Sequence, residues 1–373
     1  MKKGLGLLVV TLSSVAVLAG CGGKSAGNAD TAAAAAAAAA PATAVSENGE
    51  QKASDLKFAI VFGMGGLGDN GFNDEVFEGC KMASEQFSVP FDYVEPKEIS
   101  DYETQLRMYA DSEEYELIIM GSSDQVDVLK IVAKDYPDQN FSHIDTIIEG
   151  YDNIHSVSAS QPEQHFLSGV LAGIVTQDER FELSNEENIL GFTIAMDGPV
   201  SRAQAAGFLA GAKYANPDVE IITSYIGSYR DPAKAKEIAM SMYDRGADIV
   251  SQNAGSSGMG VFAAAKESNR YVIGTALAMV DPDHSLSTSR KKIELLIIQE
   301  VGSLVDGTWK AGTDIKGIKD GICDYDIENL NTVFPKDVIE KVESVKKLII
   351  EGKLPMPNDL DEVDEWAKIY QMN

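Results

Sequence analysis

The chain has 373 residues, 44% of them hydrophobic, which is enough apolar material for one large core or two ordinary ones, and the length favours two domains. Its 58 acidic residues against 31 basic ones leave a formal net charge of -27, which repels phosphate backbones and anionic headgroups and argues against nucleic-acid partners or charge-driven membrane binding. Four histidines, His143, His155, His165 and His284, lack metal-ligand spacing, so imidazole chemistry, a metal and a cofactor are not expected.

At the N-terminus, Lys2 and Lys3 precede an apolar run from Leu5 to Leu18 and then Leu18-Ala19-Gly20-Cys21. This layout is that of a secretory signal and resembles a bacterial lipoprotein signal, with residues 1–20 removed and Cys21 carrying the lipid. No other apolar run reaches the roughly 18 residues that span a bilayer, so the expected location is the extracytoplasmic face of the bacterial cell membrane, lipid-anchored rather than spanning. Residues 21–54 are rich in Gly, Ala, Ser and Asn, with nine consecutive alanines from Ala32 to Ala40 stopped by Pro41, and read as a tether.

Beyond Asp55 the pattern alternates. Strand-like runs at Lys57 to Phe62, Phe91 to Val94, Leu117 to Met120, Ile189 to Ile194, Glu220 to Tyr225, Asp248 to Ser251 and Tyr271 to Gly274 are separated by helical patterns, which predicts parallel sheets of βαβ units. Between the first strand and its helix lies Gly65 to Gly79, where glycines end the strand and Asp69, Asn70 and Asn73 offer short polar side chains at a helix start. A loop at the carboxyl end of such a strand is where open α/β sheets bind ligands. Gln161-Pro162 and Asp231-Pro232 open further helices, and Gly169 and Gly173, four apart on the first of these, predict close packing in a soluble core. Residues 177–187 read as a surface connection between two lobes of similar plan. The runs Leu286 to Val305 and Phe334 to Glu351 would cross back and finish both. Cys80 and Cys323 either pair or are buried thiols; free thiols are the expectation.

Two motifs mislead. Gly63 to Gly68 satisfies G-x-G-x-x-G, with Glu95 about where a ribose-binding acid would stand, but the polar insert Asp69 to Gly71 separates the glycines from the helix. Gly255 to Gly260 has the spacing of a phosphate loop, yet Val261-Phe262 replaces the lysine and hydroxyl that nucleotide hydrolysis needs. The acidic stretch Asp69 to Glu75 lacks the spacing of a calcium loop.

Taken in order, Gly65-Gly66 through Asp69, Phe72-Asn73, Phe77 and Gly79, then Met196 to Val200, Gly207-Phe208, Gly227 to Lys234 and Ala254 to Gly258, resemble the basic membrane protein family of lipoproteins. Its best-understood type is the purine nucleoside receptor of ABC importers. The resemblance runs from about Phe58 to Glu300. It implies an α/β, two-lobed type I periplasmic-binding-protein fold, each lobe a parallel sheet flanked by helices, with the ligand cleft between. Lobe 1 would comprise 55–160 plus about 276–310, and lobe 2 about 161–275 plus about 311–373. It implies a non-catalytic monomer that binds a nucleoside, purine favoured, and delivers it to an ABC permease. For the site it implies that Phe77 stacks on the base, that Asp69, Asn73 and Asp124 make polar contacts, and that Asp197, Tyr229, Gly255, Ser256 and Lys292 complete the cleft. An aromatic face suits a planar heterocycle, and carboxylates accept from its N–H groups and from sugar hydroxyls.

Two positions depart from the family pattern. Gln204 stands where the family commonly has a second stacking aromatic, a role Tyr229 is placed to supply. Gly274-Thr275-Ala276 stands where it commonly reads Gly-Val-Asp, with that Asp on the ribose. The alternatives are therefore another aromatic heterocycle such as riboflavin, a ligand sensor or, less favoured, an exported enzyme.

Overall fold

The computed structural model describes residues 56–64, 66–68 and 71–372. The expected signal, Cys21, the tether and Asp69 lie outside them. Among the described residues no helix is long and apolar enough to cross a membrane.

The first sheet begins with β1 (Phe58–Val61), an unbroken apolar run buried on both faces, as parallel sheets covered by helices require. The chain continues through α1 (Phe72–Phe87), β2 (Phe91–Val94), α2 (Asp101–Ser112), β3 (Leu117–Met120), α3 (Val126–Asp135), β4 (Asn140–Ile144) and β5 (Ile154–Ala159). After α4 (Gln161–Val175) a second set follows: β6 (Ile189–Ile194), α5 (Pro199–Ala215), β7 (Glu220–Tyr225), α6 (Pro232–Asp244), β8 (Ala247–Gln252), α7 (Gly258–Ser268), β9 (Tyr271–Gly274) and β10 (Ser285–Lys291). Then come α8 (Ile293–Val305), β11 (Gly312–Lys316), β12 (Cys323–Asp326), α9 (Lys336–Ile350) and α10 (Val363–Ile369). The sheets run β11-β5-β4-β3-β1-β2 and β12-β10-β9-β8-β6-β7, the same winding twice. All neighbours are parallel except β12, which pairs antiparallel with β10.

This is the expected two-lobed α/β architecture, with one correction to the expected lobe limits. Ser285–Lys291, assigned with the first lobe, runs parallel to β9 in the second sheet, and Gly312–Lys316, assigned to the second lobe, pairs with β5 in the first. The physical reason is that β10 looks polar (SLSTSRK) yet is buried, its Ser287 hydroxyl bonding Ser168 of α4 at 3.2 Å. The chain thus passes between lobes after β5, after β10 and after β11. These passages are tied together: Ser160 N donates to Lys316 O at 2.8 Å and Lys292 N to Ile322 O at 2.9 Å. Cys80 and Cys323 are both buried free thiols.

In the second lobe α4 and α5 pack backbone to backbone. A Cβ on Gly207 would stand 2.0 Å from the Pro162 carbonyl oxygen, and one on Gly169 2.2 Å from that of Phe208. Gly173 and Gly211 make equivalent approaches to Ala212 and Phe166. The glycine pair expected to pack closely in a soluble core does so, against a second pair on α5. Gly207→Ala should therefore destabilise the protein by about 1–3 kcal/mol, the usual effect of overpacking, read as a lower urea midpoint at unchanged slope.

Candidate functional site

In each sheet the strand order reverses, between β1 and β3 and between β6 and β8, and crevices open at the carboxyl ends of strands at such points. The two crevices face one another across a cavity of about 460 Å³. Phe72, Asn73, Ser122 and Asp145 line it from the first lobe, and Gln204, Tyr229, Asn253 and Lys291 from the second. A hollow of about 560 Å³ lies along the outer face of α6, but one helix forms it and no strand end points there.

The first-lobe wall is fixed by internal hydrogen bonds. Buried Gln125 clamps two strand ends: its Nε2 donates to Val61 O and Phe62 O at 3.0 and 2.9 Å, while its Oε1 accepts from the Gly121 and Ser122 amides. Tyr102 links the loops, accepting from Met64 N at 2.8 Å and donating to Asp124 Oδ2 at 2.9 Å. Glu95 Oε2 accepts from Leu67 N at 2.9 Å, so the acid that could have been a ribose ligand closes the glycine loop instead.

The cleft floor is a continuous polar chain. Lys291 Nζ pairs with Asp145 Oδ2 at 2.5 Å and lies 5.7 Å from the Phe72 ring centre. Asp145 Oδ1 accepts from Gln161 Nε2 at 3.2 Å; Gln204 Nε2 donates to Gln161 Oε1 and Gln164 Oε1, both at 2.9 Å; and Gln204 Oε1 accepts from Asn253 Nδ2 at 3.1 Å. Asp145 sits in the left-handed region at φ 73°, a strained conformation for a residue with a side chain. Beside this floor Arg290 holds Glu75 at 3.1 Å and Glu294 at 2.8 Å. Burial pushes the Glu75 carboxyl up to about 7 despite the guanidinium, and Glu294 adds repulsion. Among the described residues no His, Cys, Asp and Glu cluster could hold a metal.

Residues 57–359 match the Bmp family, described as ABC transporter substrate-binding protein PnrA-like. The chain belongs to the Bmp family. It is 29% identical to the ABC transporter nucleoside-binding protein BmpA of Lactococcus lactis subsp. cremoris, over 96% of this chain and 99% of that one. An uncharacterized lipoprotein of Pyrococcus abyssi is also 29% identical, over 88% of this chain and 78% of its own. Among solved structures, a solute-binding protein of an ABC transporter system from Aeropyrum pernix superposes with a TM-score of 0.71 at 26% identity, covering 84% of this chain and 98% of that one. The fold is the two-lobed type I arrangement of such solute-binding proteins, and the family serves ABC transport rather than catalysis.

In this Bmp-family protein the structure brings Asn73, Tyr229 and Gly255 of the expected site residues to the cavity wall. Asp69 lies outside the described residues. Phe77, expected to stack on the ligand, packs edge-on against Phe62, Phe91 and Tyr93, because its place on α1 turns it toward the sheet. The first-lobe aromatic on the cleft wall is Phe72, the first residue of α1, facing Tyr229 of the second lobe in the same lining. Asp124 is exposed and outside the cavity lining, bound to Tyr102 and to Ser122 Oγ, and Ser256 Oγ donates to Tyr229 O at 3.0 Å. Asp197 is exposed, 3.9 Å from Arg202, and Lys292 reaches Asp324 at 3.7 Å while its neighbour Lys291 enters the cleft. Sequence reasoning missed Phe72, Asp145 and Lys291 as lining residues. Asp145 follows directly on β4 and Lys291 is the last residue of β10, two strands that their buried Ser and His hid from the sequence reading.

Glu75 sets a pH prediction. Its native value near 7 exceeds the ordinary 4.5, so the native state holds the proton more tightly; the carboxyl's contribution is most favourable below pH 4.5 and is lost as pH rises toward 7. Unfolding free energies of the parent and Glu75→Gln, compared from pH 4.5 to 7.5, should show the parent losing on the order of 3 kcal/mol relative to the variant across that window and nothing further above it. A pH-independent difference would refute the assignment.

Proposed function

We propose that this protein is a lipid-anchored extracytoplasmic receptor that binds a nucleoside, purine favoured, in the interlobe cleft and delivers it to an ABC permease. Residues 1–20 are the signal, Cys21 carries the lipid, and 21–54 tether a monomeric binding unit to the membrane. The observation that carries the reading is the pairing, in one cavity, of an aromatic wall at Phe72 with a floor of fixed amides and the Lys291–Asp145 pair. A flat heterocycle suits the first and sugar hydroxyls suit the second. The name of the Lactococcus lactis relative, a nucleoside-binding protein, supports the same ligand class. Asn73, Tyr229 and Gly255 are proposed ligand contacts.

A ligand that binds only the native state raises the unfolding midpoint with concentration, so thermal unfolding against purine and pyrimidine nucleosides, free bases, riboflavin and sugars tests the reading. Purine nucleosides should give the largest shift; a shift with riboflavin or sugars alone would refute it. Phe72→Ala should weaken nucleoside binding by about 1–3 kcal/mol. Phe77→Ala should lower the midpoint without ligand yet leave affinity unchanged, and equal losses of affinity in both variants would overturn Phe72 as the stacking ring.

A further inference from the structure

A second cavity of about 300 Å³ adjoins the cleft. The two share Gly71, Glu75 and Ala276 as walls, and Ala276 presents only a methyl group at their boundary. On the first-lobe side Glu75, Glu78 and Met82 follow one face of α1; on the second-lobe side Leu277 and Ala278 begin the short helical turn after β9. Met82 and Leu277 are large apolar side chains left 38% and 47% exposed, one from each lobe, flanking the same hollow. Arg290 and Glu294 form the remaining wall.

Resting on the nucleoside reading of the main cleft, we propose that this side pocket receives an uncharged apolar arm of the ligand. The cleft alone falls within the roughly 300–1,000 Å³ that holds a drug-sized molecule, so a ligand that fills it still has the second volume beside it. The arm's chemistry follows from the walls. Asp74, Glu75, Glu78 and Glu294 line the pocket against the single guanidinium of Arg290, which already pairs with two of them. A phosphate or carboxylate would meet excess negative charge there, whereas an aliphatic or thioether chain would cover the exposed faces of Met82 and Leu277. Because those faces belong to different lobes, the arm also favours the closed arrangement of the lobes.

Calorimetric titration of the full-length protein with adenosine, 5′-deoxy-5′-(methylthio)adenosine and N6-isopentenyladenosine tests this. Each methylene buried strengthens binding about fourfold, less the ordering of the arm, so at least one armed nucleoside should bind on the order of tenfold more tightly than adenosine. Ala278→Phe, which fills the side pocket, and Leu277→Ser, which makes it polar, should each abolish that advantage while leaving adenosine affinity as in the parent; both residues line the side pocket and not the cleft. Equal affinity for all three ligands, or an advantage that survives both variants, overturns the side pocket alone. Failure of all three to bind the parent overturns the nucleoside reading and the side pocket with it.

Discussion

The close approach of α4 and α5 is the constraint on which the site depends. With Gly207 against the Pro162 carbonyl, the turn of α5 before it carries Gln204 to within 2.9 Å of both Gln161 and Gln164. Any side chain in place of these glycines would push the helices apart and with them the amides that form the cleft floor. A packing requirement in the second-lobe core thus becomes a positioning requirement in the cleft. The floor reaches the first lobe as well, since Gln161 also donates to Asp145, which holds Lys291. Buried polar groups demand partners, and here they find them across the seam between the lobes.

This wiring shapes what the cleft can recognise. Gln204 has both amide hydrogens and its oxygen engaged within the protein, so it offers the ligand a fixed planar surface rather than an unpaired donor. Lys291 is neutralised by Asp145 before any ligand arrives. Arg290 is similarly committed to two carboxylates. The cleft therefore carries little unbalanced positive charge, which agrees with the proposed unphosphorylated ligand and with the net charge of -27. The floor thus presents shape and polar groups that the protein already holds in place.

Much of the fold was legible because its central strands are plain apolar runs. Phe58–Val61 and Leu117–Met120 can hardly be anything but covered strands, and all seven strands read from the sequence are present. Three of the five strands that escaped notice, β4, β5 and β10, carry Ser or His at buried positions, where hydroxyls and imidazoles find partners that only the assembled protein supplies. Ser142 bonds Glu300 and His143 bonds Ser122 O, from helix and loop far along the chain. The site was legible to the level of its loops and not of its rings. Phe72 and Phe77 both fit an aromatic near a glycine loop, and only the entry angle of α1 decides which faces the cleft. The step from Lys292 to Lys291 has the same cause, since neighbouring residues at a strand end point to opposite sides.

The path of β11 has a consequence for how the chain is made. This edge strand, Gly312–Lys316, pairs with β5, some 150 residues behind it, after the whole second sheet apart from β12 has been laid down. During synthesis the first lobe stands with an open edge at β5 until residue 316 has emerged, and an open edge invites pairing with other chains. Completion of the first lobe is thus the late, long-range event, and the chain stays incompletely folded until most of it exists. In the export that the lipid-anchored reading proposes, a native state reached only near the end of the chain would be an advantage built into the strand order.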